Sequence, residues 1–138
     1  MDYLQEAFGG FNPQVDQDAA VKFALNAILM DERLSELSCL LTDGHEIGGV
    51  AGEPGWIIER RDTGPSGAHT YYADWPKNAY FHAHVDSSGY ELAYPDMFMD
   101  VAVFHRYVSE AIKAYVANNP SKVDIAQSVI SLLRQTRE

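Results

Sequence analysis

The chain has 138 residues, 46% of them hydrophobic and 12% aromatic, and 20 acidic against 10 basic side chains give a formal net charge of −10. This length fits one domain, and the composition excludes a disordered chain. The acidic excess argues against direct binding of DNA, RNA or an anionic membrane, because phosphate groups are contacted by lysine and arginine.

The N-terminal segment and the cysteine content suggest where the protein works. The first residues form neither the basic nor the apolar region of a secretory signal, and no apolar run has the roughly 18 residues that a membrane span needs. A single cysteine, Cys39, is too few for a disulfide framework, and its apolar neighbours predict a buried small side chain rather than a nucleophile. We therefore expect a protein of the reducing cytoplasm.

The first predicted element is a helix over residues 15–33, with Asn12 as its cap and Pro13 at the first helical position. Apolar residues recur along this segment at spacings of three and four, which is typical of a helix with one buried face. Residues 37–41 are a short apolar run that predicts a buried strand.

A series of strands is predicted to follow. In residues 79–85 the alternation is clean, with Phe81, Ala83 and Val85 on one face and His82 and His84 on the other. A turn and an antiparallel return strand should follow this segment, and Pro95-Asp96 should end the sheet. The other strands are expected at 46–50, 55–60, 69–75 and 90–94.

Two helices are predicted at the C-terminal end. The first carries an apolar stripe over residues 101–115 and stops at Asn118-Asn119-Pro120, and the second begins near Val123. Strands grouped between helices indicate the α+β class. We expect a single domain over residues 1–138, in which an antiparallel sheet of about five to six strands is preceded by one helix and followed by two.

The sharpest local motif is His82-Ala83-His84-Val85-Asp86. Histidines two apart on a strand share a face, which suits a metal bound by two imidazoles. The string resembles the H-x-H-x-D segment of metallo-β-lactamase-fold hydrolases, and the resemblance implies metal ligands at His82, His84 and Asp86. That family continues with a third histidine where Ser87 stands here, so we favour two histidines on the polar face of a strand, with no metal or other cofactor.

Catalytic motifs of other kinds are not found in the sequence. There is no G-x-S-x-G nucleophile elbow, no Walker A sequence and no G-x-G-x-x-G. We therefore expect a protein that binds a partner rather than an enzyme.

The acidic side chains are concentrated in the first part of the chain, where the first 59 residues hold eleven acids and two bases. Five acids lie between residues 43 and 62 close to aromatic side chains, a combination that suits an interface with a basic protein. Asp31, Glu32 and Glu36 form a second candidate patch. The predicted partner-binding residues are Asp43, Glu46, Glu53, Trp56, Glu59, Asp62, Tyr71 and Tyr72.

Size, acidity, the single cysteine and the aromatic-rich segment over residues 80–96 together resemble bacterial immunity proteins of the contact-dependent growth inhibition and polymorphic-toxin type. The resemblance implies a cytoplasmic protein that binds a cognate, basic nuclease toxin and covers its active site or substrate groove. One alternative is a small metal-dependent enzyme that uses His82 and His84 with Asp86 or Glu91. Another is a structural or regulatory interaction protein with no toxin involved.

Overall fold

The computed structural model describes residues 2–42, 48–53, 55–61 and 70–135. Within them the chain forms five α-helices, four strands and two short 3-10 turns, at Thr70–Tyr72 and Pro120–Lys122. The helices are α1 (Leu4–Phe8), α2 (Ala19–Met30), α3 (Leu34–Leu41), α4 (Val101–Asn118) and α5 (Val123–Gln135). The strands are β1 (Gly48–Gly52), β2 (Trp56–Arg60), β3 (Phe81–Val85) and β4 (Asp96–Met99).

The four strands form one antiparallel meander in the order β1-β2-β3-β4. The predicted α+β class with a single antiparallel sheet is therefore confirmed, whereas the predicted numbers of strands and helices differ from those observed. Three of the described helices, rather than one, precede the sheet, and α4 and α5 follow it as expected.

The predicted strand at residues 37–41 is wrong, because this segment belongs to α3. Leu34, Leu37 and Leu41 follow a helical spacing and are buried together on one side of that helix. Cys39 lies on the other side and is exposed, so the prediction of a buried cysteine is also wrong. A short apolar run does not distinguish a strand from a buried helix turn.

The first long helix starts later than predicted, at Ala19, because Asn12 closes a turn instead of capping a helix. The Asn12 side chain accepts a hydrogen bond from the Gln14 backbone N–H at 3.0 Å, and its own N–H donates to Asp16 Oδ2 at 2.8 Å. Such local bonds offer the backbone an alternative to helix. The short helix α1 was not predicted.

Two further predicted strands are also wrong. The described part of 69–75 forms the 3-10 turn at Thr70–Tyr72 and the turns after it. Residues 90–94 do not pair with β3, and the Ala93 N–H instead donates to the Pro13 carbonyl at 2.8 Å. The sheet resumes at Asp96, the residue predicted to end it.

One face of the sheet forms the core against α2 and α4. Ile58 and Ala83 are fully buried on this face, and the rings of Phe81 and Phe104 stack with centroids 4.1 Å apart. The apolar stripe predicted for residues 101–115 is the buried side of α4 from Phe104 onward, whereas Val101 is exposed. Helix α5 then packs against α3 and α4, so the helices lie together on one side and the sheet presents its other face outward.

Candidate functional site on the open face of the sheet

The outward face of the sheet brings together polar side chains from three strands. In the register of the meander, His82 on β3 lies between Glu59 on β2 and Phe98 on β4, and His84 lies beside Asp96. Because side chains alternate along a strand, these five residues all project from the same face. We call this surface the open face.

Four of these residues are joined by hydrogen bonds and form a histidine–carboxylate cluster, made of Glu59, His82, His84 and Asp96. His82 Nδ1 lies 3.0 Å from Glu59 Oε2, and His82 Nε2 lies 2.7 Å from Asp96 Oδ1. The same Asp96 oxygen lies 2.8 Å from His84 Nδ1. One carboxylate oxygen therefore faces two imidazoles, and one imidazole faces two carboxylates.

Aromatic side chains surround the cluster and form an aromatic wall, made of Tyr71, Trp75 and Phe98. The Phe98 ring is stacked on the His82 imidazole at 4.3 Å, and the Trp75 ring meets His82 edge-on at 5.6 Å. Tyr71 donates its hydroxyl hydrogen to Glu59. The Arg61 guanidinium lies 5.4 Å over the Trp75 ring, a cation–π contact that fixes this tryptophan.

The electrostatics of the open face follow from these contacts. Partial burial would raise the pKa of Asp96, but the hydrogen bonds from His82 and His84 outweigh it and hold that pKa below its ordinary value. The hydrogen bond to Glu59 raises the pKa of the Tyr71 phenol to about 12. Asp96 therefore stays ionised and Tyr71 stays a hydrogen-bond donor over the whole neutral range.

Of the three predicted metal ligands, Asp86 does not join His82 and His84 in the histidine–carboxylate cluster. The alternation that places His82 and His84 on one face is confirmed. Asp86 lies beyond the end of β3 and turns to its own loop, where its Oδ1 accepts from the Ser88 N–H and hydroxyl, both at 2.9 Å. Asp96 takes its place, because the sheet pairs β4 directly against His84.

The predicted partner-binding residues divide into three groups. Trp56 is 1% exposed and Tyr72 3% exposed, so these two aromatics are buried in the fold and do not lie on its surface. Trp56 donates from Nε1 to the Glu53 carbonyl, and the Tyr72 hydroxyl donates to the Arg60 carbonyl at 3.5 Å. Glu59 and Tyr71 do lie on the open face, and Glu53 is exposed. Asp43, Glu46 and Asp62 lie outside the described residues.

Asp96 and Phe98 of the candidate site were not predicted from the sequence, and Trp75 was considered beside the acidic residues but not included in the predicted set. Phe98 and Asp96 lie on β4, which was not predicted as a strand, and Trp75 was placed in a strand that does not form. Met97, Phe98 and Met99 are all apolar, so no polar–apolar alternation marks β4 in the sequence, and its two faces differ only in burial.

Acids elsewhere in the first part of the chain are largely paired within the fold. Glu32 contacts Lys122 at 2.7 Å, and Glu36 contacts Arg33 at 2.5 Å, so the second predicted patch is mostly neutralised. Asp16 and Asp18 both contact the buried Lys22, at 3.1 and 3.2 Å. These carboxylates do not form a free acidic surface.

A groove of about 1100 Å³ lies elsewhere, between α4 and α5. Its lining is mostly apolar and includes Val101, Ile112 and Ile130, and it contains no residue of the histidine–carboxylate cluster. The open face is the better candidate site, because two histidines, two carboxylates and exposed aromatic side chains converge there.

The fold and site define an α+β domain with an antiparallel meander whose open face carries a histidine–carboxylate cluster. Comparison with protein-family models, curated proteins and solved structures finds no match. Across the described residues, no helix has both the length and the hydropathy needed to cross a membrane.

Proposed function

We propose that this protein is an immunity-type inhibitor that binds a cognate, basic toxin domain through the open face of its sheet. The observation that carries the proposal is the exposure of large aromatics beside carboxylates there. Phe98 is 37% and Tyr71 49% exposed, and they lie beside Asp96 and Glu59. Exposed aromatics and paired charges are the groups that contribute most to protein interfaces.

Fewer acidic side chains can contact a partner than the net charge suggests. Several acids of the helical side are already paired with lysine or arginine, so the net charge of −10 acts mainly as a long-range field that attracts a basic partner. At short range, Asp96 on β4 and Asp74, an exposed residue next to Trp75 in the chain, are acids that can meet lysine or arginine of the partner.

The decisive experiment is co-purification with the toxin encoded beside the gene, followed by titration of the purified toxin domain. We expect a stable complex that blocks toxin activity and an affinity that falls as the salt concentration rises. The absence of a neighbouring toxin gene together with no protein partner would overturn the proposal.

A pair of aromatic substitutions locates the interface. Phe98→Ala should weaken toxin binding by about tenfold or more, because it removes an exposed ring from the centre of the open face. Tyr90→Ala is the matched control, since Tyr90 is similarly exposed at 40% but packs against Phe11 and Phe23 rather than on the open face. Equal losses for both variants would place the interface elsewhere.

The alternative function, a small metal-dependent enzyme, is favoured by the convergence of His82, His84 and Asp96. One measurement separates the two functions, because Phe98→Ala removes none of these three side chains. Loss of toxin binding in this variant with an unchanged metal content supports the inhibitor. A reaction that depends on bound metal and persists in the variant supports the enzyme.

A further inference from the structure

The histidine–carboxylate cluster contains a hydrogen-bonding conflict. A neutral imidazole has one N–H, yet His82 places both ring nitrogens against carboxylate oxygens, at 3.0 Å from Glu59 and 2.7 Å from Asp96. His84 adds a third contact, to the oxygen of Asp96 that His82 already faces. Two neutral rings supply two hydrogens for three contacts, so one contact would set lone pair against lone pair.

A cation at the meeting point of His82, His84 and Asp96 removes this conflict. One ligand atom from each lies within 4.8 Å of the others. Zinc bound by imidazole and carboxylate at about 2.0 to 2.1 Å holds neighbouring ligand atoms roughly 3.3 Å apart, so the 2.7 and 2.8 Å contacts need to open by about half an ångström. Asp96 and His84 are exposed enough to make that adjustment.

We propose that His82 Nε2, His84 Nδ1 and an Asp96 carboxylate oxygen bind a divalent transition metal ion, with zinc as the probe that defines the site. Two imidazoles and a carboxylate suit zinc and its neighbours in the first transition row rather than calcium or magnesium, which take oxygen ligands. Three protein ligands leave a fourth position open to solvent on the exposed side of Asp96.

Glu59 is the positioning residue of this site. By accepting the Nδ1–H of His82 it fixes the tautomer whose Nε2 lone pair points to the metal, as the outer carboxylate does at zinc–histidine sites. Tyr71 donates in turn to Glu59, and Phe98 stacks on the imidazole, so the ring is held from three sides. The metal proposal does not rest on the proposed toxin partner, because it concerns the isolated chain.

The test is calorimetric titration of the chelator-treated full chain with Zn²⁺, followed by the visible spectrum with Co²⁺. Wild type should bind one ion, and both His84→Ala and Asp96→Asn should weaken binding by more than about tenfold. His105→Ala and Asp124→Asn are the matched controls, since both residues lie on helices outside the cluster. Circular dichroism checks that each variant is folded.

Glu59→Gln provides a separate readout of the positioning role. We expect Zn²⁺ affinity to fall by about tenfold while the Co²⁺ spectrum keeps its shape, because the three ligands are unchanged. A doubly protonated His82 also satisfies all three contacts without a metal. In that case wild type would bind Zn²⁺ no more tightly than His84→Ala, and this result would overturn the proposal.

Discussion

The two sides of the sheet use the same kind of acidic residue in different ways. On the helical side, carboxylates are paired with the ammonium groups of lysines, such as Lys22 for Asp16 and Lys122 for Glu32. On the open face, Glu59 and Asp96 are instead held by the imidazoles of His82 and His84.

Because of this difference, net charge alone does not identify a binding surface. The Tyr107 hydroxyl donates to Asp18 at 2.6 Å, and that of Tyr115 donates to Glu32 at 2.6 Å, so these acids join segments more than 80 residues apart. They stabilise the fold. The polar contacts of the open face do not join such distant segments of the fold.

Removing one aromatic side chain from each side of the sheet should separate the two sides most clearly. Trp56→Ala should lower the free energy of unfolding by about 3–5 kcal/mol, because it leaves a cavity in the core. Phe98→Ala should cost only about 1 kcal/mol, since its ring lies on a partly solvated sheet surface. Urea unfolding measures both, and equal losses would show that the open face is part of the core.

The sequence predicted the strands whose two faces differ most in polarity. β3 was predicted with the correct inward set, because Phe81, Ala83 and Val85 alternate with two histidines. The apolar stripe of α4 was predicted for the same reason, because its apolar residues recur with the period of a helix. A short apolar run such as residues 37–41 spans too few repeats to distinguish a helix from a strand, and this part of α3 was therefore predicted as a strand.

The candidate site was predicted only in part, because it is assembled by pairing between strands. His82 and His84 could be paired from their spacing alone. Asp96 lies 12 residues from His84, and only the register of β4 on β3 brings the two together. Glu59, 23 residues from His82, was singled out for partner binding, whereas its contact with the imidazole depends on the register of β2.

A second prediction concerns the phenol–carboxylate contacts of the helical side. Tyr107→Phe should lower the free energy of unfolding by about 1.5 kcal/mol, because it removes a hydrogen bond to the charged Asp18. Tyr94→Phe, at an exposed tyrosine, is the control and should have no measurable effect. If both variants unfold at the same urea concentration as wild type, the hydrogen bond between Tyr107 on α4 and Asp18 at the start of α2 contributes nothing to the free energy of unfolding.

A third prediction is alkaline destabilisation. Burial and the bond to Asp18 raise the pKa of Tyr107 to about 12, above the ordinary value of 10.0. Between pH 10 and 12 the folded state thus keeps a proton on Tyr107 that the unfolded chain loses. The contribution of Tyr107 to the free energy of unfolding is therefore complete below pH 10 and is lost between pH 10 and 12. At pH 11 the loss should be about 1 kcal/mol. Urea unfolding at pH 9 and 11 measures it, and Tyr107→Phe should reduce the difference.

The smallest expected effect is at the exposed pair of Arg33 and Glu36. Arg33 holds the pKa of Glu36 below its ordinary value of 4.5, so the pair stabilises the fold above that pH and loses its effect as the pH falls further. Glu36→Gln should lower the melting temperature at pH 7 by no more than about 2 °C, since solvent and salt screen such pairs and the stacking of Arg33 on Trp56 remains. Glu91→Gln is the control for loss of an exposed acid. A drop in melting temperature of many degrees for Glu36→Gln alone would mean that this carboxylate stabilises the core through Arg33. The stability of the helical side would then depend on exposed charged side chains as well as on its buried apolar residues.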